Sequence, residues 1–359
     1  MTFRDKFLAL LRFSIGTMDV PPEKIATDDW PELYEMAKQQ ALVGVVFEGM
    51  NRMPAEQRPD KIVSRKWFAQ LQRIEERNKE VNKAAIAVAN EFSKRGFRTC
   101  LLKGQGNTLH YPKPFQRTSG DIDIWVEGGD TAVLKALKGR AGRAIYHHVE
   151  MPSKDGVPVE VHYRPSFLNN LADNSRLQRF FLDKADAQFS NKRQLPGTEG
   201  EIAVPTPDFN LVYEICHITH HLLKDGIGLR QLLDYYYLLQ SNIPDDVRRQ
   251  AVADLKRIHL DKMAAAVMYV ASEAFGLEER YLLLPPDERR GKLMLSEIMQ
   301  SGNFGQYDER VHSITGITAI DSNIMRFKKD IHFMHYFPRE CLSEPIFRIY
   351  HFFWRLQHK

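Results

Sequence analysis

An α+β fold, with a small mixed sheet and flanking helices set between helical N- and C-terminal regions, is the architecture this sequence predicts. Three observations carry that expectation. Residues 1 to about 95 show helix-period apolar spacing; about 70 residues after Gly96 alternate short apolar strands with glycine turns and short helices; and helical patterning returns near Pro207. The expected division is a helical region at 1–95, an α+β core at 96–205 and a helical domain at 206–359.

The opening stretch, MTFRDKFLALLRFSIG, gathers Leu8, Leu10, Leu11 and Phe13 into one apolar cluster. In DWPELYEMAKQQALVGVVFEGM, Asp29 is placed to cap a helix and Pro31 suits its first turn. A long charged helix follows from about Ser64 to Arg95, its i,i+4 charges marking a solvated face. FRTCLLKG then reads as a buried strand entering a glycine turn, and GQGNTLHYP as a short helix stopped by Pro112 and Pro114. DIDIWV alternates polar and apolar residues as a half-buried strand does. GGDTAVLKALKG predicts a short helix with Asp130 as its N-cap. RAIYHHVEM and VPVEVHYRP read as two strands joined by the turn SKDG. Beyond Pro207, two helices are expected around residues 225–228, with further helices through 245–277, 286–301 and 340–357; GNFGQYDERVHSITG reads as a loop.

Composition narrows the classes. The chain has 359 residues, 50 basic and 46 acidic, for a net charge of +4. That small excess permits a local basic groove without marking a dedicated nucleic-acid binder. Cys100, Cys216 and Cys341 are widely spaced and form no CxxC pair, which argues against a zinc ribbon or a disulfide scaffold and for reduced thiols. Arg4, Asp5, Lys6 and Arg12 interrupt the N-terminal apolar residues, unlike a signal peptide. No apolar run reaches the roughly 18 residues of a membrane span. The expectation is a cytoplasmic protein with no membrane partner.

The chemistry centres on DIDIWV. Asp121 and Asp123, two apart on a strand, point to the same face. Two unpaired acids side by side repel each other, and a divalent cation removes that cost. Glu160, between Val159 and Val161, faces away from both. If its strand lies beside DIDI, three carboxylates converge, enough for two Mg²⁺ ions with oxygen ligands at about 2.0–2.1 Å. Ahead of them, LLKGQG brings Gly104 and Gly106 to a strand–helix turn whose N–H groups can hold anions, with Lys103 and Arg117 as nearby cations.

KGQGNTLHYPKPFQRTSGDIDIWV followed by VEVHYRPS resembles the polymerase-beta-like nucleotidyltransferase superfamily. It is most similar to a poorly characterised bacterial nucleotidyltransferase family with a lysine–glycine turn, an Arg-containing loop, a DIDI-like strand and an acid-x-His strand. The nucleotidyltransferase toxins of abortive-infection systems are more distant. The resemblance covers residues 97–166 and makes 96–205 the catalytic core. It implies Mg²⁺, an NTP donor, and Asp121, Asp123 and Glu160 as catalytic and metal-binding residues. It further implies ligand-binding roles for Lys103, Gly104, Gln105, Arg117, Ser119 and His162. Gln105 departs from the pattern, standing where many members have Gly or Ser.

His217, His220 and His221 have helical metal-ligand spacing but no accompanying acid or cysteine, and read as structural or solvated residues. Arg230 and Asp234 are spaced for an i,i+4 pair. The aromatic and basic FRIYHFFWRLQHK reads as a packed helix. The function expected is transfer of a nucleoside monophosphate to a hydroxyl with release of pyrophosphate. The acceptor stays open among a small molecule, a tRNA end and a protein side chain. The alternative is a non-catalytic nucleotide-binding or interaction protein that retains the fold.

Overall fold

A computed structural model describes residues 2–23, 25–308, 310 and 319–358. The N-terminal helices are α1 (Phe3–Ile15), α2 (Trp30–Gln39), α3 (Val43–Arg52) and the long α4 (Lys61–Ser93). Thr2 and Asp5 cap α1 reciprocally, and Asp60 accepts the N–H groups of Ile62 and Val63 at the start of α4. The helix expected through residues 30–50 is two helices, because Ala41 takes a left-handed conformation between them. Asp29 precedes α2 without capping it: its carboxylate instead accepts from Lys6 Nζ and the Ala26 N–H.

The sheet comprises β1 (Thr99–Leu102), β2 (Ile122–Val126), β3 (His148–Lys154) and β4 (Val157–His162), in the order β1-β2-β4-β3. It is mixed: β2 and β4 run parallel, and β1 and β3 pair antiparallel on the two edges. Asp155 and Gly156 both have positive φ in the turn from β3 to β4, as a tight hairpin requires. The strand expected at 143–151 starts later, at His148. The chain doubles back there: Ala144 pairs with Val149, and the Ile145 N–H donates to His148 O. The short α5 (Gly104–Asn107) follows β1, and α6 (Gly129–Ala136) follows β2. Asp130 lies inside the first turn of α6 rather than at its N-cap, its carboxylate drawn to Arg164 and Trp354.

Period-2 alternation sorts the sheet's side chains between two cores. Ile122, Ile124, Val126, Val157, Val159 and Val161 join Val81, Ala85, Val88 and Phe92 of α4 on one face. On the other face, Leu102 and Trp125 join a larger cluster with Phe189 and Phe209. Helix α4 contributes to both. Phe189 comes from α7 (Leu171–Ser190), in a stretch to which the sequence reading assigned no element; Asn170 caps it, and Leu177, Phe180 and Phe181 supply its buried face. A small hairpin, β5 (Lys192–Gln194) and β6 (Glu201–Ala203), leads into α8 (Pro207–Leu223) and α9 (Leu229–Gln240).

The helical run expected at 245–277 is broken into α10 (Asp245–Arg257) and α11 (Asp261–Phe275), with His259 left-handed between them. Then come α12 (Glu288–Ser301), α13 (Ala319–Met334) and α14 (Pro338–Gln357). In the expected loop, residues 303–305 form a 3₁₀ turn, while 309 and 311–316 lie outside the described residues. The C-terminal helix buries Cys341, Phe347 and Trp354 but exposes Leu342, Ile346, Ile349, Phe352 and Phe353. All three cysteines are free and buried. Among the described residues, no helix is long and apolar enough to cross a membrane.

Candidate functional site

The parallel register of β2 and β4 sets Asp123 directly beside Glu160. Since the neighbouring isoleucines and valines go to the α4 side, these acids and His162 share the opposite face. Asp121 stands one residue before β2 and lines the same cavity of about 400 Å³, together with Lys103, Gly104, Asp123 and Glu160. Helices α8 and α9 close the cavity's far side with Glu214, His217, His221 and Arg230. The trio expected from the sequence is thus brought together, and the C-terminal helices complete its surroundings.

Asp123 is the anchored member. Its Oδ1 receives Lys103 Nζ at 2.9 Å and lies 2.8 Å from His162 Nε2. Burial alone would raise its pKa, but the Lys103 charge and the His162 hydrogen bond hold it well below the usual carboxylate range. Asp121 behaves oppositely. The neighbouring Asp123 charge, then burial, pushes its carboxyl up to about 6, and among the described residues no ion pair reaches it. Glu160 Oε2 lies 3.2 Å from His148 Nδ1 and 3.6 Å from His162 Nε2. Its pKa is lowered: burial opposes the charge, and the His162 hydrogen bond together with the His148 and His162 charges outweighs it.

Lys103 is held where this arrangement needs it. It has a positive φ of 50°, and Gly104 follows at 36°, so the chain turns sharply from β1 into α5 beneath the acids. The other expected ligand-binding residues are placed differently from one another. Gln105 is buried away from the cavity, its Nε2 donating to Asn78 Oδ1 and Asn82 Oδ1 of α4. Arg117 lines the cavity but is committed to a buried bidentate pair with Asp234, at 2.7 and 2.6 Å. Tyr111 OH and Asn107 Nδ2 donate to the same carboxylate. Ser119 Oγ is buried without a hydrogen-bond partner. His162 sits among the acids.

Asp234 therefore pairs with Arg117, not with Arg230 one helical turn before it. Arg230 is 6% exposed, donates through Nη1 to Thr118 O at 2.8 Å, and leaves Nε without a partner. Among the described residues no carboxylate pairs with it; burial, then the Arg117 charge, pushes its pKa down to about 10. A cation so placed, lining the cavity of the acids, is a candidate site residue that i,i+4 spacing concealed. Of the three helix-α8 histidines, His217 and His221 line this cavity and His220 packs on Phe167; they do not gather as a three-ligand group.

A further histidine pair escaped the sequence reading. Where the chain doubles back, His147 and His148 come against His162, with His147 Nε2 3.1 Å from His148 Nδ1. Burial, then the His162 charge, pushes His148 down to about 4. The only local signal was two consecutive histidines in a strand-like stretch, for which alternation predicts opposite faces.

The model of a family described as uncharacterised nucleotidyltransferase matches residues 26–276. A solved structure of an antigenic nucleotidyltransferase-like protein from Paracoccidioides brasiliensis is 15% identical, over 55% of this chain and 93% of that one, with a TM-score of 0.29. No curated protein matches the chain significantly.

Proposed function

Because the chain belongs to the uncharacterised nucleotidyltransferase family, we propose that Asp121, Asp123 and Glu160 form the centre at which a nucleoside monophosphate passes from an NTP to a hydroxyl acceptor, releasing pyrophosphate. The observation that carries this reading is the direct pairing of Asp123 with Glu160 across parallel strands, with Asp121 on the same cavity. The donor set fits divalent ions: three carboxylates face one cavity and only Asp123 is ion-paired to a lysine. Asp121, Asp123 and Glu160 would hold Mg²⁺, which when bound supplies charge neutralisation for the phosphates and for the acceptor oxygen.

The remaining roles are derived from the chain's own residues. Arg230 faces the cavity without a carboxylate partner and is the side chain best placed to bind the triphosphate. Lys103 holds Asp123 in position and keeps it ionised; the N–H groups of the following turn lie beside it. Arg117 and Asp234 brace the loop before Asp121. Gln105, tied into α4, serves the turn's architecture.

The direct test is metal-dependent NTP binding and pyrophosphate release by wild-type protein and by Asp121→Asn and Asp123→Asn. The reading requires turnover to fall about 100- to 1,000-fold or more in each variant, the scale seen on removing one group of an electrostatic centre. Equal turnover in all three proteins removes it. Nucleotide binding without pyrophosphate release across broad acceptor screens would favour a non-catalytic nucleotide-binding protein, for which no separate observation speaks. The acceptor class and a cytoplasmic location stay as proposed from the sequence.

A further inference from the structure

We propose that His147, His148 and His162, together with Glu160, form a nitrogen-rich site for a borderline divalent ion of the zinc type. It adjoins the carboxylate trio and differs from it in donor chemistry. The ligand nitrogens of the three histidines lie within 4.8 Å of one another. His147 Nε2 is 3.1 Å from His148 Nδ1; His148 Nδ1 is 3.2 Å from Glu160 Oε2; and Glu160 Oε2 is 3.6 Å from His162 Nε2. A tetrahedral zinc site with bonds of about 2.0–2.1 Å has ligand–ligand edges of about 3.3–3.4 Å. These three separations lie near that edge, and the histidine nitrogens, within 4.8 Å of one another, draw together by side-chain rotation to close the site.

Hydrogen bonding alone leaves the cluster in conflict. The carboxylate of Glu160 only accepts, so His148 Nδ1 must present its proton to it. The same nitrogen also faces His147 Nε2, and one N–H serves two acceptors poorly. The opposite tautomer sets a lone pair of His148 against the carboxylate. A cation takes all of these lone pairs at once. His162 is oriented for the purpose: its Nδ1 faces Arg164 O at 3.4 Å, which leaves Nε2 toward the carboxylates. Binding would replace the proton His162 shares with Asp123 and release it to solvent.

Donor type selects the ion. Imidazole nitrogens suit Zn²⁺ and its neighbours in the first row, whereas Mg²⁺ prefers oxygen. An entry path exists, because His147 and His148 line a second cavity of about 470 Å³, while Glu160 lines the first. The ion would stand in the wall between the two cavities. This inference rests on the imidazoles and Glu160, not on the nucleotidyl-transfer reading.

The test loads full-length protein with Zn²⁺, dialyses it against excess Mg²⁺ and measures retained zinc by atomic emission. One zinc per chain is expected in wild type and in Asp121→Asn. Zinc affinity should fall at least about 100-fold in His147→Ala/His148→Ala, since ligands matter more than the outer partners whose loss costs about 10–100-fold. Substitution with Co²⁺ should give the intense visible absorption of a four-coordinate ion. No zinc retained over Mg²⁺, a weak six-coordinate cobalt spectrum, or equal retention in the double variant each overturns the site. If the double variant does not fold, the cobalt spectrum of the unaltered protein decides alone. Zinc retained by a protein that binds no NTP would refute the transferase reading and leave this site standing.

Discussion

Replacing Arg230 by methionine should separate the proposed nucleotide binding from folding. The guanidinium is buried, and burial pushes its pKa down to about 10, a folded-state penalty on the charge of roughly 3 kcal/mol. Against that stand one hydrogen bond to Thr118 O and a contact 5.5 Å from the Phe304 ring, together about 2 kcal/mol. Methionine has a similar reach and no charge, so the variant should be as stable as wild type or about 1 kcal/mol more stable. A charge-assisted hydrogen bond to phosphate contributes about 1.5–3 kcal/mol, so NTP affinity should fall roughly 10- to 150-fold. Urea unfolding and titration calorimetry with Mg²⁺ and a non-hydrolysable NTP measure the two quantities. Unchanged affinity refutes the phosphate role assigned to Arg230. A loss of several kcal/mol in stability refutes the description of this cation as buried at a cost without a carboxylate partner.

Other consequences are equally direct. Asp234→Asn should cost about 3–5 kcal/mol in unfolding free energy, since it strands the buried Arg117; a midpoint within error of wild type would contradict the pairing. Glu340 on α14 accepts the Asn169 and Asn170 N–H groups, yet burial pushes its pKa up from 4.5 to about 7. The unfolded state therefore binds fewer protons between these values, and stability should fall as pH rises from about 4.5 to about 7. In Glu340→Gln that slope should flatten by roughly 3 kcal/mol across the window, read from urea midpoints at several pH values; an unaltered slope denies the shift. A Cβ on Gly44 would lie 2.2 Å from Gln116 O, so Gly44→Ala should destabilise by at least about 1–3 kcal/mol and disturb the segment leading to Arg117. Its thermal midpoint checks this. Chelation with EDTA should abolish pyrophosphate release, and added Mg²⁺ should restore it; turnover that persists without metal argues against the carboxylate centre.

Much of the site was legible because its logic is local. Alternation along DIDIWV and VPVEVHY fixes which side chains share a face, and both strands kept that pattern. The glycine turn after β1 was legible from composition, as were the paired helices around residues 225–228. What escaped depends on partners distant in sequence. Arg230 and Asp234 have good helical spacing, yet Asp234 is taken by Arg117, 117 positions away. The convergence of His147 and His148 required a reversal that no strand pattern encodes. Helix α7 did leave a signal, the Asn170 cap followed by Leu177, Phe180 and Phe181, which the polar residues between them obscured.

Asn78 of α4 ties together pieces that look separable on the chain. Its Nδ2 donates to Phe115 O and Arg117 O, and its Oδ1 accepts from Gln105. One amide from the N-terminal helices thereby sets the spacing between the glycine bend and the arginine loop. Trimming the protein to its strands and their connecting turns would discard that spacer and leave both flanks of the acid-lined cavity free to drift. The smallest unit able to hold the proposed triphosphate therefore includes the long helix, even though no residue of that helix need ever touch it.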